Sequence, residues 1–474
     1  MKAKKVVVIG AGPAGLTAGF EFSKFKNFEI VILEKDEAVG GLARTFDYKG
    51  YKFDIGPHHY ITDSPKIEKW WKDLMEDDFI PLKRFTRIYY KNRFFNYPLE
   101  AMNVLKNLNF FECVACVGSY AKVKIAPKKD VKSFQDWVSN RFGKKLFGMF
   151  FKTYTEKVWG IKCEQISADW AAQRIKGLSL SNAIFYAFFG KWFKKNAPRT
   201  LQSSFYYPSL GSGSLWDRVR DKILQNQNSK IFCNSNVVEI AHQDGLIKKV
   251  GILDKSEESK IQFFEADEFL SSMPLQELIF ALRPYAPQEV IEAASKLRYR
   301  GLITVNLVVN KKNVIPDHWM YIHDATVKMG RIGNMNNFSM KMSAREDHTA
   351  IDLEYFAFTD EEFWLKSDEE LLEIGKRELE KINIVKYPEI IDGMVLRSNQ
   401  AYPIYDENYQ ENLKIVLDYL SNFSNLHLMG RNGLHRYNNM DLAMESAIII
   451  VDKILQKQNL NSKVVKNEKE IIVN

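Results

Sequence analysis

The first regularity in the chain is an unbroken apolar run, Val6 to Ile9, with no polar position on either side of the pleat. Such a run predicts a strand buried on both faces. Residues 16–25, LTAGFEFSKF, return to helical spacing, and FEIVILE predicts a second buried strand that ends on Glu34. Later in the chain, LGSGSLWDRVRDKI predicts a helix, and residues 230–254 predict a β-meander. EADEFLSSMPLQEL predicts a strand that runs into a Ser-Ser-Met-Pro turn. GLITVNLVVN and TAIDLEYFAF alternate as strands do. Residues 427–455 predict a short strand, a Gly-Arg turn and an Ala-rich helix. The polar tail that follows is expected to fray.

Between the first strand and the first helix lie Gly10, Gly12 and Gly15, in the spacing GxGxxG. Alone that spacing is weak, but here a strand precedes it, a helix follows, and an acid arrives about twenty residues on. Gly10 permits the tight turn. Gly12 lets the backbone approach a pyrophosphate, and Gly15 lets helix and strand pack closely. The helix start offers free N–H groups and the positive dipole end, and Glu34 accepts from ribose hydroxyls. The pattern therefore predicts a dinucleotide site.

Composition changes the picture only at the margins. A chain of 474 residues has length for two or three cores. Its net charge of +8, from 67 basic and 59 acidic residues, suits either an anionic partner or a solvated basic surface. No nucleic-acid motif accompanies the charge. Cys113 and Cys116 form a CxxC in an apolar stretch with no second pair and no nearby histidine, so buried free thiols in a reducing cytoplasm are expected rather than a metal site. There is no signal-peptide pattern and no apolar run of spanning length. LSNAIFYAFFGKWFKK, from residue 180, is left open as a peripheral membrane or partner contact, or as a helix on the substrate side.

Gly40-Gly41, just after Glu34, with Arg44 behind it, resembles the second glycine pair of glutathione-reductase-type flavoproteins, in their amine-oxidase and protoporphyrinogen-oxidase branch. The resemblance implies FAD, held by Gly10, Gly12, Gly15, Glu34, Gly41 and Arg44. It also implies backbone contact from a strand near residues 231–240, including Val238, and a helix start supplied by Gly430, Arg431 and Asp441. His58 would neighbour the flavin. The implied fold is α/β, with a discontinuous Rossmann-like FAD-binding domain (1–80, 208–275 and 395–455), a mainly helical substrate cap (81–207), a β-rich substrate domain (276–394) and a flexible tail (456–474).

Within that branch the motif order resembles UDP-galactopyranose mutase. YTEKVWG supplies Tyr154 and Trp159, QRI supplies Arg174, YIHDATVKMGRI supplies Arg331, and AYPIYDEN supplies Tyr402. By resemblance the two arginines clamp a nucleotide-sugar diphosphate, the aromatics line the sugar pocket, and His58 completes the catalytic set. Helix packing for Tyr154 and Trp159, and a surface position for Arg331, are the plainer alternatives. The implied activity is pyranose–furanose ring isomerisation through a reduced-flavin N5 adduct, in polysaccharide biosynthesis, by a cytoplasmic homodimer that uses no metal. The other reading is an oxidoreductase of the amine-oxidase or protoporphyrinogen-oxidase type acting on an apolar or lipid-linked substrate. The stretch 180–207 has no counterpart in the mutase pattern.

Overall fold

The computed structural model describes residues 3–99, 101–168, 204–253 and 261–457. Arg174, the stretch 180–195 and all of the tail after residue 457 lie outside the described residues.

Strand β1 (Lys4–Ile9), helix α1 (Pro13–Ser23) and strand β2 (Phe28–Leu33) form the opening unit. β1 lies at the centre of a five-stranded parallel sheet, flanked by Glu268–Ser271 and β2, with Leu426–Leu428 and Ser229–Phe232 outside them. Distant parts of the chain thus meet in one sheet. Pro13 opens α1, where its missing N–H costs nothing. One face of the sheet is covered by α1 and the C-terminal helix Met440–Gln456, through Leu16, Phe22, Met444 and Ile448. The other is covered by helices Leu275–Ala281, Gln288–Ser295 and Tyr409–Leu420. A smaller four-stranded sheet, which includes Val237–Gln243, packs beside it.

The helical cap contains α2 (Phe110–Ile125) and α3 (Thr153–Trp159), the latter continuous with the wider helical turns of Gly148–Lys152. Against the cap stands a seven-stranded sheet. Its principal strands are β3 (Tyr299–Val309), β4 (Arg331–Asn334), β5 (Thr349–Ala357) and β6 (Ile390–Pro403), in the order β6-β3-β5-β4. β3 and β5 are buried on both faces along their whole length.

The architecture is the expected α/β arrangement, but several segments fall differently from expectation. Hairpin Thr86–Tyr90/Arg93–Asn96, placed by sequence in the cap, completes the far edge of the large sheet because Trp319–Ile322 pairs with it. Residues 395–403, placed in the dinucleotide domain, belong to β6 and pair with β3. Helices Leu275–Ala281 and Gln288–Ser295, placed in the β-rich domain, put Leu278, Ile279 and Val290 into the core beneath β1. The strand expected over 231–240 is two strands, broken where Asn234 adopts a left-handed φ of 54°. Among the described residues no helix is long and apolar enough to cross a membrane.

Candidate functional site

Three glycine turns converge on the start of α1. At Gly10, φ is +96°, and a Cβ on Gly15 would lie 1.8 Å from the Gly10 carbonyl oxygen, so neither position accepts a side chain. Gly40 donates its N–H to the Ala11 carbonyl at 2.8 Å, which brings Gly41 against Gly12. Gly430, with φ +75°, approaches Ala14 from the C-terminal side. A Cβ on Gly12 would meet only Gly41 Cα, at 3.9 Å, so space stays open above it. Among the described residues no side chain caps α1. An uncapped helix start under an open glycine fits a pyrophosphate. Glu34 is buried and braces this loop, accepting from Ala11 N at 2.6 Å and Asp36 N at 3.0 Å. Burial raises its pKa despite those two bonds. The connection that leads to Val238 is tied to the same place, since Ser235 and Asn234 donate to the Glu34 and Asp36 carbonyls. Arg44 lies over the Phe46 ring, and Asp441 is buried in the first turn of the C-terminal helix. These residues can therefore hold a dinucleotide.

Arg431 behaves differently from a ligand clamp. Its guanidinium donates to the Ala401 carbonyl at 2.8 Å and to the Asn438 carbonyl at 2.9 and 3.1 Å. It thereby fastens the Gly430 turn to β6. Its charge also lies over Tyr437 and Tyr402.

Arg331 begins β4 and faces Glu354 directly across the β4–β5 pair. Its Nη2 donates to Glu354 and, at 3.1 Å, to the Tyr402 hydroxyl on β6. Glu354 is fully buried. Burial opposes the arginine charge, but the Glu354 carboxylate outweighs it and holds the guanidinium protonated. Asp352, two residues earlier on the same strand, has both oxygens without hydrogen-bond partners among the described residues, and burial pushes its pKa well up. That shift favours the uncharged form of the carboxyl. The loop after Asp54 lies on this pair: a Cβ on Gly56, at φ +74°, would meet the Glu354 carboxylate at 3.0 Å. His58 follows. Its Nδ1 donates to the Gly56 carbonyl at 3.1 Å, which assigns the tautomer. Burial, then Arg431 and Arg331, lower its pKa to about 4, so its 3.7 Å approach to Asp54 joins a neutral ring to the carboxyl.

The YTEKVWG box divides its work. Tyr154 stacks on His323 at 5.1 Å and meets the edge of Tyr321. Lys157 Nζ donates to the carbonyls of Ile322, Asp324 and Met329 at 3.1, 2.6 and 2.9 Å, binding α3 to the loop before β4. Burial lowers its pKa to about 8. Gly160, at φ +67°, leaves room for the Arg300 guanidinium, which a Cβ would meet at 2.3 Å. Trp159 packs within an aromatic group of Tyr402, Tyr405 and Tyr437 at 6.1–6.3 Å.

Tyr154, Trp159, Arg331, Tyr402, Arg431 and His58 thus gather in one region, while Arg174 lies outside the described residues. Sequence reasoning missed Glu354, Asp352, Lys157 and His323. The available signal was two acids at alternate positions of TAIDLEYFAF, an otherwise apolar strand.

Residues 8–74 match the family model described as NAD(P)-binding Rossmann-like domain. A probable UDP-galactopyranose mutase from Klebsiella pneumoniae is 23% identical over 179 residues, covering 36% of this chain and 44% of that protein. The matched region spans less than half of that relative's length. The structure of reduced UDP-galactopyranose mutase superposes with a TM-score of 0.81 at 19% identity, covering 100% of this chain and 97% of the other. That of a putative protoporphyrinogen oxidase from Exiguobacterium sp. 255-15 gives 0.73 at 17%, covering 97% and 100%. At these identities the solved structures establish a shared fold.

Proposed function

We propose that the protein is an FAD-dependent enzyme acting on a nucleotide-activated sugar, and that it exchanges the sugar between pyranose and furanose rings. The observation that carries this reading is the Arg331–Tyr402 pair, set between the YTEKVWG helix and the Gly430 turn, in a chain whose whole length follows the mutase fold. Bound and reduced, the flavin supplies an electron-rich centre for chemistry at the anomeric carbon. The chain's own residues supply the rest. Arg331 offers a permanent charge to a diphosphate oxygen, and its alignment is fixed by Glu354. The Tyr402 hydroxyl stays protonated, because burial raises its pKa to about 12, and so can donate to the same oxygens. Tyr154 is likewise held neutral by burial. His58, also neutral, keeps Nδ1 engaged and has Nε2 as its acceptor. Trp159 and its tyrosine neighbours keep water from the sugar side. Arg174 is proposed as the second diphosphate contact, on sequence resemblance alone.

The four unpaired thiols suit a cytoplasmic location. The substrate class is tested by titrating the reduced holoprotein with UDP and UDP-sugars while following the flavin spectrum. Saturable perturbation in the wild type, weakened about tenfold or more by Arg331→Ala, supports the reading. A spectrum indifferent to every UDP compound overturns it. The likeness to a putative protoporphyrinogen oxidase over almost the full chain favours a second reading, an oxidoreductase with an apolar substrate. It predicts flavin reduction by that substrate in turnover.

A further inference from the structure

Helix α2 is turned inside out. Of its sixteen residues only Cys116 and Val123 are buried, while Phe110 is 75% exposed, Phe111 82% and Ile125 85%. Val114 and Val117 are also exposed, and the neighbouring helix Ala101–Asn107 adds exposed Met102 and Leu105. The outward strip along α2 therefore reads Phe110, Phe111, Val114, Val117 and Ile125, with small Ala115, Gly118 and Ala121 between them. An apolar strip of this length marks a contact surface.

The helix is firmly held in that orientation. Asn109 and Glu112 form a reciprocal cap at its start, and Arg93 donates to Glu112 at 2.8 Å. On its inner side Gly143, at φ +84°, lets the turn before the next helix pack against the Ser119–Tyr120 backbone. A Cβ there would lie 2.9–3.1 Å from those atoms. The strip cannot turn inward without breaking these contacts.

Charge indicates what covers it. Residues 101–132 contain six lysines against Glu112 and Asp130, a balance of +4. Both acids are engaged, Glu112 by Arg93 and Asp130 by Lys132 at 3.1 Å. Lys122, Lys124 and Lys129 make no ion pair with another described residue and sit beside the strip at its C-terminal end. A second copy docked by two-fold symmetry would bring these lysines against the partner's strip, which offers no acid to receive them. A bilayer surface with anionic headgroups serves both parts: the acyl boundary takes the phenylalanines, and lipid phosphates take the lysines.

We propose that α2 and the preceding helix form a peripheral docking face for an anionic lipid surface, with Phe110 and Phe111 inserted at the headgroup boundary. This does not depend on which reaction the enzyme performs. The test is cosedimentation of the full chain with phosphatidylcholine vesicles, with and without phosphatidylglycerol. Wild type is expected to bind the phosphatidylglycerol vesicles in a salt-sensitive manner. The double variant Phe110→Ser/Phe111→Ser should bind them at least about tenfold less, and Lys122→Glu/Lys124→Glu should lose the preference for them. All four side chains are exposed, so both variants should keep the wild-type melting temperature. Absence of binding to phosphatidylglycerol vesicles overturns the proposal, as does binding unaffected by either variant. A dimer in analytical ultracentrifugation that the phenylalanine variant dissolves, without vesicle binding, assigns the strip to self-association and also overturns it.

Discussion

Glu354 meets Arg331 directly across two paired strands; the carboxylate is shut away from water, while the guanidinium is only partly buried. A guanidinium in such a place is stable only with its carboxylate, since removing one partner of a buried pair strands the other's charge. Glu354 therefore does two opposing things. It holds Arg331 in one orientation, and it offsets part of the positive field that a diphosphate would meet.

Glu354→Gln separates these effects. The variant should be less stable by about 3 kcal/mol, read as a lower melting temperature. UDP should bind more tightly to the surviving protein, because the opposing charge is gone, while turnover falls about tenfold because the guanidinium is no longer held in place. Weaker UDP binding with unchanged turnover would contradict the role given to this pair.

The glycines at the start of α1 differ in what they protect. Gly15→Ala drives a Cβ into the Gly10 carbonyl, so this variant should fail to fold. Gly12→Ala meets no protein atom closer than 3.9 Å. It should fold, yet lose about a hundredfold in FAD affinity, because the new methyl occupies the space needed for the pyrophosphate. Flavin content after gel filtration and the apoprotein melting curve check both expectations. A Gly12→Ala protein that keeps its flavin would show that the cofactor does not lie on this turn.

Lys157 is the structural member of the YTEKVWG box. Replacing it with Met leaves three carbonyls without their donor and should cost about 2–4 kcal/mol. UDP affinity should change less than in Arg331→Ala, because Lys157 points at the backbone rather than at the pocket. Unaltered thermal stability would count against this assignment.

How much of this could be read from the sequence follows from where each residue's partners lie. The GxGxxG turn and Glu34 were legible because strand, turn, helix and acid are neighbours in the chain and their geometry is local. Arg331, Tyr154, Trp159 and Tyr402 were legible only through the order of motifs, because their contacts join strands and helices far apart. Glu354 was hidden. Alternation in TAIDLEYFAF suggests a solvent side for its two acids, but the Gly56 loop lies against Glu354 on that side. Lys157 was hidden too, since nothing in the box shows that its partners are carbonyls more than 160 residues away. Residues 86–96 were misplaced because a hairpin does not announce which sheet edge it will join.

Acid stability should report the buried histidines. His323 and His435 are buried, and desolvation lowers their pKa values to about 3 and about 4. Their unfolded values lie near 6.5, so the stability they contribute is complete above that pH and is lost as pH falls toward the folded values. Asp54, raised by burial to about 7, acts in the opposite sense and gains stability over the same acid range. The difference between variants is thus more telling than the wild-type curve. Between pH 6.5 and 4.5, His435→Gln should lose about 2 kcal/mol less than wild type in urea unfolding. Parallel curves would mean that His435 is charged in the folded protein.

Ring isomerisation by the reduced holoprotein can be assayed on the nucleotide sugar itself. Purified holoprotein is incubated with UDP-galactopyranose under nitrogen, once oxidised and once reduced with dithionite, and the nucleotide sugars are separated by chromatography. A furanose isomer formed only by the reduced protein, and lost in Arg331→Ala, is the expected result. Unchanged substrate in the reduced sample, with flavin content intact, contradicts the mutase reading for this sugar; the same outcome across a panel of UDP- and dTDP-sugars contradicts it altogether.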